Sequence, residues 1–196
     1  RVFGVTGRLG ADGVEETPVD EPSVLAAVRG MQAAGCEGVI VSLLHSYRNP
    51  AHEQRVKAII GAALPGFFVS CSHEVWPIIR EYERTVTATI GGYVQPRVSN
   101  YLTQLQAALT ESGVGADLKV TKSNGGVMSA EHGKQNCVQM ILSGTASGVI
   151  GAAYLARLCN VKDCMSLDIG GTTADIALIV DGKPQYATGE YIGEFQ

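Results

Sequence analysis

The run SLDIGGTTADIALIV, Ser166 to Val180, concentrates more chemistry than any other stretch of the chain. An acid, Asp168, closes an apolar strand signal. Gly170, Gly171, Thr172 and Thr173 follow as a tight turn, and a second acid, Asp175, opens the returning strand. Glycines let backbone amides approach an anion because no Cβ intervenes and positive φ costs little. The two threonine hydroxyls add donors, so such a turn can wrap a phosphate in N–H and O–H groups. A carboxylate ending a buried strand is costly unless something pairs with it. Asp168 would then face the phosphate and hold a magnesium-bound water or orient a nucleophile. A bare Gly-Gly turn is an ordinary hairpin. Acid, glycines, paired hydroxyls and a second acid between two strand signals favour the phosphate turn, with Asp175 equally readable as a solvated strand residue.

Two other turns are of the same type. In KVTKSNGGVMSAEH, a strand leads into Ser123, Asn124, Gly125 and Gly126. In ILSGTASGVIGAAYLA, a strand signal at Ile141-Leu142 leads through Ser143, Gly144 and Gly148 into a helix, whose free N-terminal amides attract anions. Gly144, Gly148 and Gly151 do not have the spacing of a dinucleotide fingerprint, and no acid follows at the distance a ribose site needs. A Walker P-loop is absent as well. Taken singly, each of these turns is as readily a structural loop as a site.

These turns must be positioned by a scaffold, and the pattern of apolar residues supplies one. Residues 1–71 alternate: a strand at Val2–Val5, a helix over 23–34 capped by Asp20, a strand in GVIVSLL from Gly38 to Leu44, a helix over 50–63 and a strand from Phe67 to Ser70. That order predicts a parallel sheet with helical crossovers. From Ser72 to Ser112 the pattern becomes helical, with Pro77 in a first turn and Ile78, Ile79 and Tyr82 starting an apolar stripe that Tyr101, Leu102, Leu105 and Leu109 continue. Gly91-Gly92 and Pro96 would bend or divide this helix. The last block reads as a hairpin with a third strand after Asp181-Gly182. The seam falls near Ser72, giving an α/β region over 1–71 and a second region over 72–196 that holds the phosphate hairpin.

Composition narrows the partners. The chain has 196 residues, 45% hydrophobic and 17% charged, with a formal net charge of −4, so nothing in it resembles the basic excess that binds nucleic acid or anionic membrane. Five cysteines, none in a CxxC pair, read as packing thiols of a cytoplasmic protein. His45, His52 and Glu53 match no usual zinc spacing. Asn49 reads as the cap of the following helix, Glu53 and Arg55 as surface residues, and Glu81, Glu83 and Arg84 as an ion-pair cluster within a helix.

Several motifs in one order are more specific than any of them alone. LLHSYRNPAHE (43–53), SHEVWPIIREYERT (72–85), KSNGGVMSA (122–130), SGTASGVIGAA (143–153) and DIGGTTADIALI (168–179) resemble the hydantoinase/oxoprolinase family. That group includes hydantoinase A subunits, 5-oxoprolinase and acetone carboxylase β-type subunits. The resemblance implies part of an actin, Hsp70 and sugar-kinase type ATPase fold, with a mixed sheet and flanking helices. It implies ATP and Mg²⁺ as cofactors, with Asp168 to Thr173 the second of two phosphate loops and Ser143 to Gly148 starting a helix beside it. The first loop would lie upstream of Arg1 and the adenine-side segments downstream of Gln196, so the chain is expected to be an internal fragment, inactive alone. The implied reaction is ATP-dependent opening of a hydantoin or 5-oxoproline ring through phosphorylation of its carbonyl oxygen, with a B-type second subunit and an oligomeric assembly as partners. A ketone carboxylase subunit and a non-catalytic nucleotide-binding module remain the alternatives. The chain departs from the family in carrying Gly144-Thr145-Ala146 where Gly-Pro-Ala is usual, and Gly91 where a small polar residue such as Asn is usual.

Overall fold

The computed structural model describes residues 1–185, which form two compact units that divide between Val94 and Gln95. The change of pattern at Ser72 coincides with the end of one strand and the start of a short helix.

The first unit opens on an extended segment rather than the strand expected at Val2–Val5. Its first strands, β1 (Arg8–Leu9) and β2 (Glu15–Thr17), form a small antiparallel hairpin. The expectation failed because Val2 is almost fully exposed, and Phe3 and Val5 pack against the core without a strand beside them to pair with. Helix α1 (Glu21–Ala33) begins where Asp20 accepts the Ser23 N–H at 2.9 Å, with Pro22 in its first turn. Strand β3 (Gly38–Val41), helix α2 (Ala51–Ala63) and strand β4 (Phe68–Cys71) form one β-α-β crossover, with β3 and β4 parallel from Gly38 against Phe68 to Val41 against Cys71. The sheet is therefore two-stranded, and the apolar run after Val41 leaves it at Ser42. Val24, Val28 and Met31 from α1 meet Val56, Ile59 and Ile60 from α2 and Val41 and Cys71 from the strands in one core.

Helix α3 (Ser72–Val75) is a single turn, and α4 (Glu81–Glu111) runs unbroken through Gly91-Gly92 and Pro96. Two expectations fail here for one reason. Pro77 and Ile78 lie outside any helix, and Ile79, Tyr82 and Tyr101 are exposed, so the first part of the apolar stripe does not mark the packed face, whereas further along Leu102 is fully buried and Leu105 and Leu109 are half-buried, as the stripe predicts. In the first half of α4 the packed face is marked by small residues instead: Ala88 is fully buried, and a Cβ on Gly92 would come within 2.1 Å of Ile40 Cδ1. Gly92 thus serves close approach to β3, a role that replaces the expected bend.

The second unit contains a hairpin of β5 (Lys119–Thr121) and β6 (Val127–Ser129), helix α5 (Ala130–Gln135), a 3₁₀ turn at Cys137–Met140 and helix α6 (Ser143–Leu158). An antiparallel meander of β7 (Cys164–Ile169), β8 (Ala174–Val180) and β9 (Lys183–Pro184) follows. Leu102, Met128, Ala130, Cys137, Ala153, Ala156 and Ile179 are its buried apolar residues. No strand forms at Ile141-Leu142. The chain instead passes through Leu142 in the left-handed region, at φ 58°, and enters α6 at once. Among the described residues no helix is long and apolar enough to cross a membrane.

Candidate functional site

Alternation along β7 and β8 sorts their side chains onto two faces. Cys164, Ser166 and Asp168 stand opposite Ile179, Ala177 and Asp175 on one face; Met165 and Leu167 stand opposite Leu178 and Ile176 on the other. The first face lies against α6. Ile179 is buried there, and Thr145 Oγ1 donates to Asp175 Oδ2 at 3.2 Å. The reversal between the strands is tight: the Gly170 N–H donates to the Thr173 carbonyl at 2.9 Å. Around Gly171 the space is open, since a Cβ there would meet nothing within 4 Å.

Asp168 is placed differently from the expectation. It is exposed, because β7 ends at the open edge of the meander, so burial does not make its charge costly. The cost comes from its register: Asp168 sits directly opposite Asp175, and like charges in that position destabilise an antiparallel pair. Among the described residues, the Asp168 carboxylate has neither a hydrogen bond nor an ion pair.

Helix α6 brings a second set of donors to the same place. Its first turn has no side-chain cap, so the amides of Ser143, Gly144 and Thr145 lack intrahelical acceptors. Gly148 lies in the second turn, where an amide bonds to the carbonyl four residues back, and it therefore has no free donor to offer. The SNGG hairpin is also different in use. Ser123 N–H bonds to the Gln139 carbonyl at 2.7 Å, as does its hydroxyl at 3.2 Å. The Gly125 N–H is taken by Lys122, and the Gly126 N–H by Asn124 Oδ1 at 3.0 Å. The glycine donors close the turn itself, and those of Ser123 tie it to the 3₁₀ turn. Gly125, at φ 80°, also leaves room for Ile150 of α6, whose Cδ1 would lie 2.1 Å from an added Cβ. Ser123 to Gly126 therefore buttress α6, while Thr145 and Asp175 join it to the β7–β8 hairpin.

This unit fits a magnesium nucleotide by its donor chemistry. Hard oxygen ligands suit Mg²⁺, and two carboxylates in cross-strand register, with no ion pair at Asp168 among the described residues, are such a set. The open reversal and uncapped helix start supply N–H groups for anionic oxygens.

The first unit holds a polar cluster that the sequence reading missed. Glu53, expected on the surface, is fully buried and accepts from Leu43 N–H (2.9 Å), Ser72 Oγ (2.6 Å), His73 N–H (3.0 Å) and His73 Nδ1 (2.6 Å). Arg84 is likewise buried. It bonds to Ser72 Oγ (2.9 Å) and to the carbonyls of Ile78 (2.8 Å) and Leu43 (2.7 Å), with Glu81 of its own helix at 3.8 Å. Desolvation pushes the Glu53 carboxyl up, but the bonds from Ser72, His73 and Leu43 outweigh it and hold it below its ordinary value. Cys71 is adjacent, with its thiol pushed up to about 12 by burial and by the Glu74 and Glu53 carboxylates. Glu53, Cys71 and His73 present ligand atoms within 4.8 Å of one another. Both Glu53 oxygens are already filled by donors, and Arg84 already supplies a positive charge through Ser72, so the cluster is closed as a structural clamp. The sequence signal was the pairing of an acid and a serine-histidine step at the ends of consecutive elements. Only packing shows that they meet.

The remaining expected features fall as follows. Asn49 Oδ1 accepts the Ala51 N–H at 3.0 Å and so caps α2 from two residues before its start, with Pro50 between. Arg55 is exposed and pairs with Glu21 at 2.7 Å. His52 is buried against Glu15 at 2.8 Å, with no further ligand.

The model of the family described as Hydantoinase/oxoprolinase matches residues 84–196, and that of the Hydantoinase/oxoprolinase N-terminal region matches residues 1–64. Caprolactamase subunit alpha of Pseudomonas jessenii is 34% identical over 183 residues, 93% of this chain and 26% of the relative. The 5-oxoprolinase of Saccharomyces cerevisiae is 30% identical over 171 residues, 85% of this chain and 13% of the relative. Among solved structures, a nucleotide-free acetone carboxylase, described in connection with ATP-dependent acetone carboxylation, superposes with a TM-score of 0.86 at 34% identity, over 92% of this chain and 26% of that one. The chain thus spans about a quarter of the length of the first of these relatives.

Proposed function

This chain belongs to the hydantoinase/oxoprolinase family, with a mixed α/β architecture consistent with the actin-like ATPase fold, and on that premise we propose that its protein uses ATP to open a cyclic amide. The observation that carries the reading is the convergence of the Gly170–Thr173 reversal, the facing acids Asp168 and Asp175 and the uncapped start of α6. A lactam or imide carbonyl is a poor electrophile, and bound MgATP would supply a phosphoryl group to its oxygen that makes the carbon easier for water to attack; the ring C–N bond then breaks, the nitrogen takes a proton and the phosphoryl group leaves as phosphate. The amides of Gly171, Thr172, Ser143 and Gly144, and the hydroxyls of Thr172 and Thr173, bind anionic oxygens. Asp168 holds the cation or its water, with Asp175 beside it. The names of the relatives as subunits support a second subunit as partner.

A ketone carboxylase of the same family is the second reading, favoured by the close superposition on acetone carboxylase. Assay of the full-length protein with hydantoins, 5-oxoproline and lactams, and with a ketone plus bicarbonate, separates the two. In either assay Asp168→Asn should lower ATP-dependent turnover by about 100-fold or more while the protein stays folded. Full activity in that variant removes Asp168 from the mechanism.

A further inference from the structure

The facing carboxylates of the hairpin are not equivalent. Asp175 is half-buried and receives the Thr145 hydroxyl, whereas Asp168 is exposed and receives nothing from the described residues. Their repulsion favours any rotamer that carries one carboxylate away from the other. Asp168 faces solvent and is free to respond. Asp175 lies against α6, and the bond from Thr145 fixes one of its oxygens, leaving the other for a ligand.

We infer that Thr145 is a positioning residue, whose hydroxyl pins the Asp175 carboxylate beside Asp168 so that the two remain a ready pair for a divalent cation. Thr145 suits this task through its place as well as its hydroxyl. It is the third residue of α6, so the element that offers free amides also fixes the acid. The role rests on the reading that this hairpin receives a metal–nucleotide complex, and the two can fail separately.

The test uses full-length protein as wild type, Thr145→Val and Thr145→Ser, with Mn²⁺ binding in the presence of ATP measured by electron paramagnetic resonance. ATP binding in EDTA is measured by calorimetry. At 3.2 Å the contact is long for O–H···O, so the lower end of the effect of a hydrogen bond to a charged acceptor applies. Thr145→Val should weaken Mn²⁺ by about 10-fold, Thr145→Ser by no more than about twofold, and metal-free ATP by no more than about twofold in either variant. A purely structural role would weaken metal-free ATP in parallel, and that result overturns the inference, as does unchanged Mn²⁺ affinity in Thr145→Val. If Thr145→Val does not fold, Thr145→Ala takes its place in the comparison. A wild type that binds neither ATP nor Mn²⁺ refutes the proposed function, and the role of Thr145 falls with it.

Discussion

Replacing Glu53 by Gln tests the clamp in the first unit. The carboxylate has two oxygens and four donors: Leu43 N–H and Ser72 Oγ on Oε1, His73 N–H and Nδ1 on Oε2. A glutamine amide keeps one acceptor oxygen and turns an NH₂ group toward the other two donors. Two hydrogen bonds to a charged acceptor are lost, each worth about 1.5–3 kcal/mol, and Ser72 must reorient between the amide and Arg84. Breaking a buried charged network from one side costs about 3–5 kcal/mol, in agreement with that sum. With a urea slope of about 2 kcal/mol/M, the unfolding midpoint should fall by about 2 M. Trp76, the one tryptophan of the chain, follows α3 directly and reports on this region by fluorescence. The pH dependence gives a second check. Because the folded Glu53 pKa is depressed, its stabilisation is present above the ordinary carboxylate value and lost as pH falls through the folded one. The gap between wild type and Glu53→Gln should therefore narrow in acid. A midpoint shift below about 0.3 M, or a gap independent of pH, would refute the clamp.

Three other outcomes follow from the geometry. Asp168→Asn removes one member of a like-charged cross-strand pair and should raise thermal stability by about 0.2–1 kcal/mol even as activity is lost, which a thermal melt detects. Gly125→Ala places a Cβ at φ 80° and against Ile150, and should cost about 1–2 kcal/mol in denaturant titration, chiefly from the left-handed backbone. Of the five cysteines, exposed Cys159 should react first with a thiol reagent at neutral pH. Buried Cys71, with its thiol near pKa 12, and Cys137, also raised by burial, should react only on unfolding.

Motifs and local chemistry were legible where the chain itself makes the structure. The DIGGTT hairpin, the Asp20 cap, the β3-α2-β4 crossover and the family follow from neighbours in sequence, because turns, caps and periodicity are decided over a few residues. Elements whose form depends on a partner were not legible. Val2–Val5 has strand propensity but no strand beside it, and in the expected apolar stripe Ile79, Tyr82 and Tyr101 are exposed while Leu102 is buried. Burial and charge belonged to the tertiary structure alone. Glu53 reads as a surface acid of an amphipathic helix until the segment after β3, together with α3 and α4, brings donors from Leu43, Ser72 and His73 onto it, and Arg84 onto Ser72. Asp168 and Asp175 are both visible in the sequence, yet their face-to-face register is set by the length of the reversal between them. The hold of Thr145 on Asp175 spans 30 positions, and only the packing of α6 on the hairpin creates it.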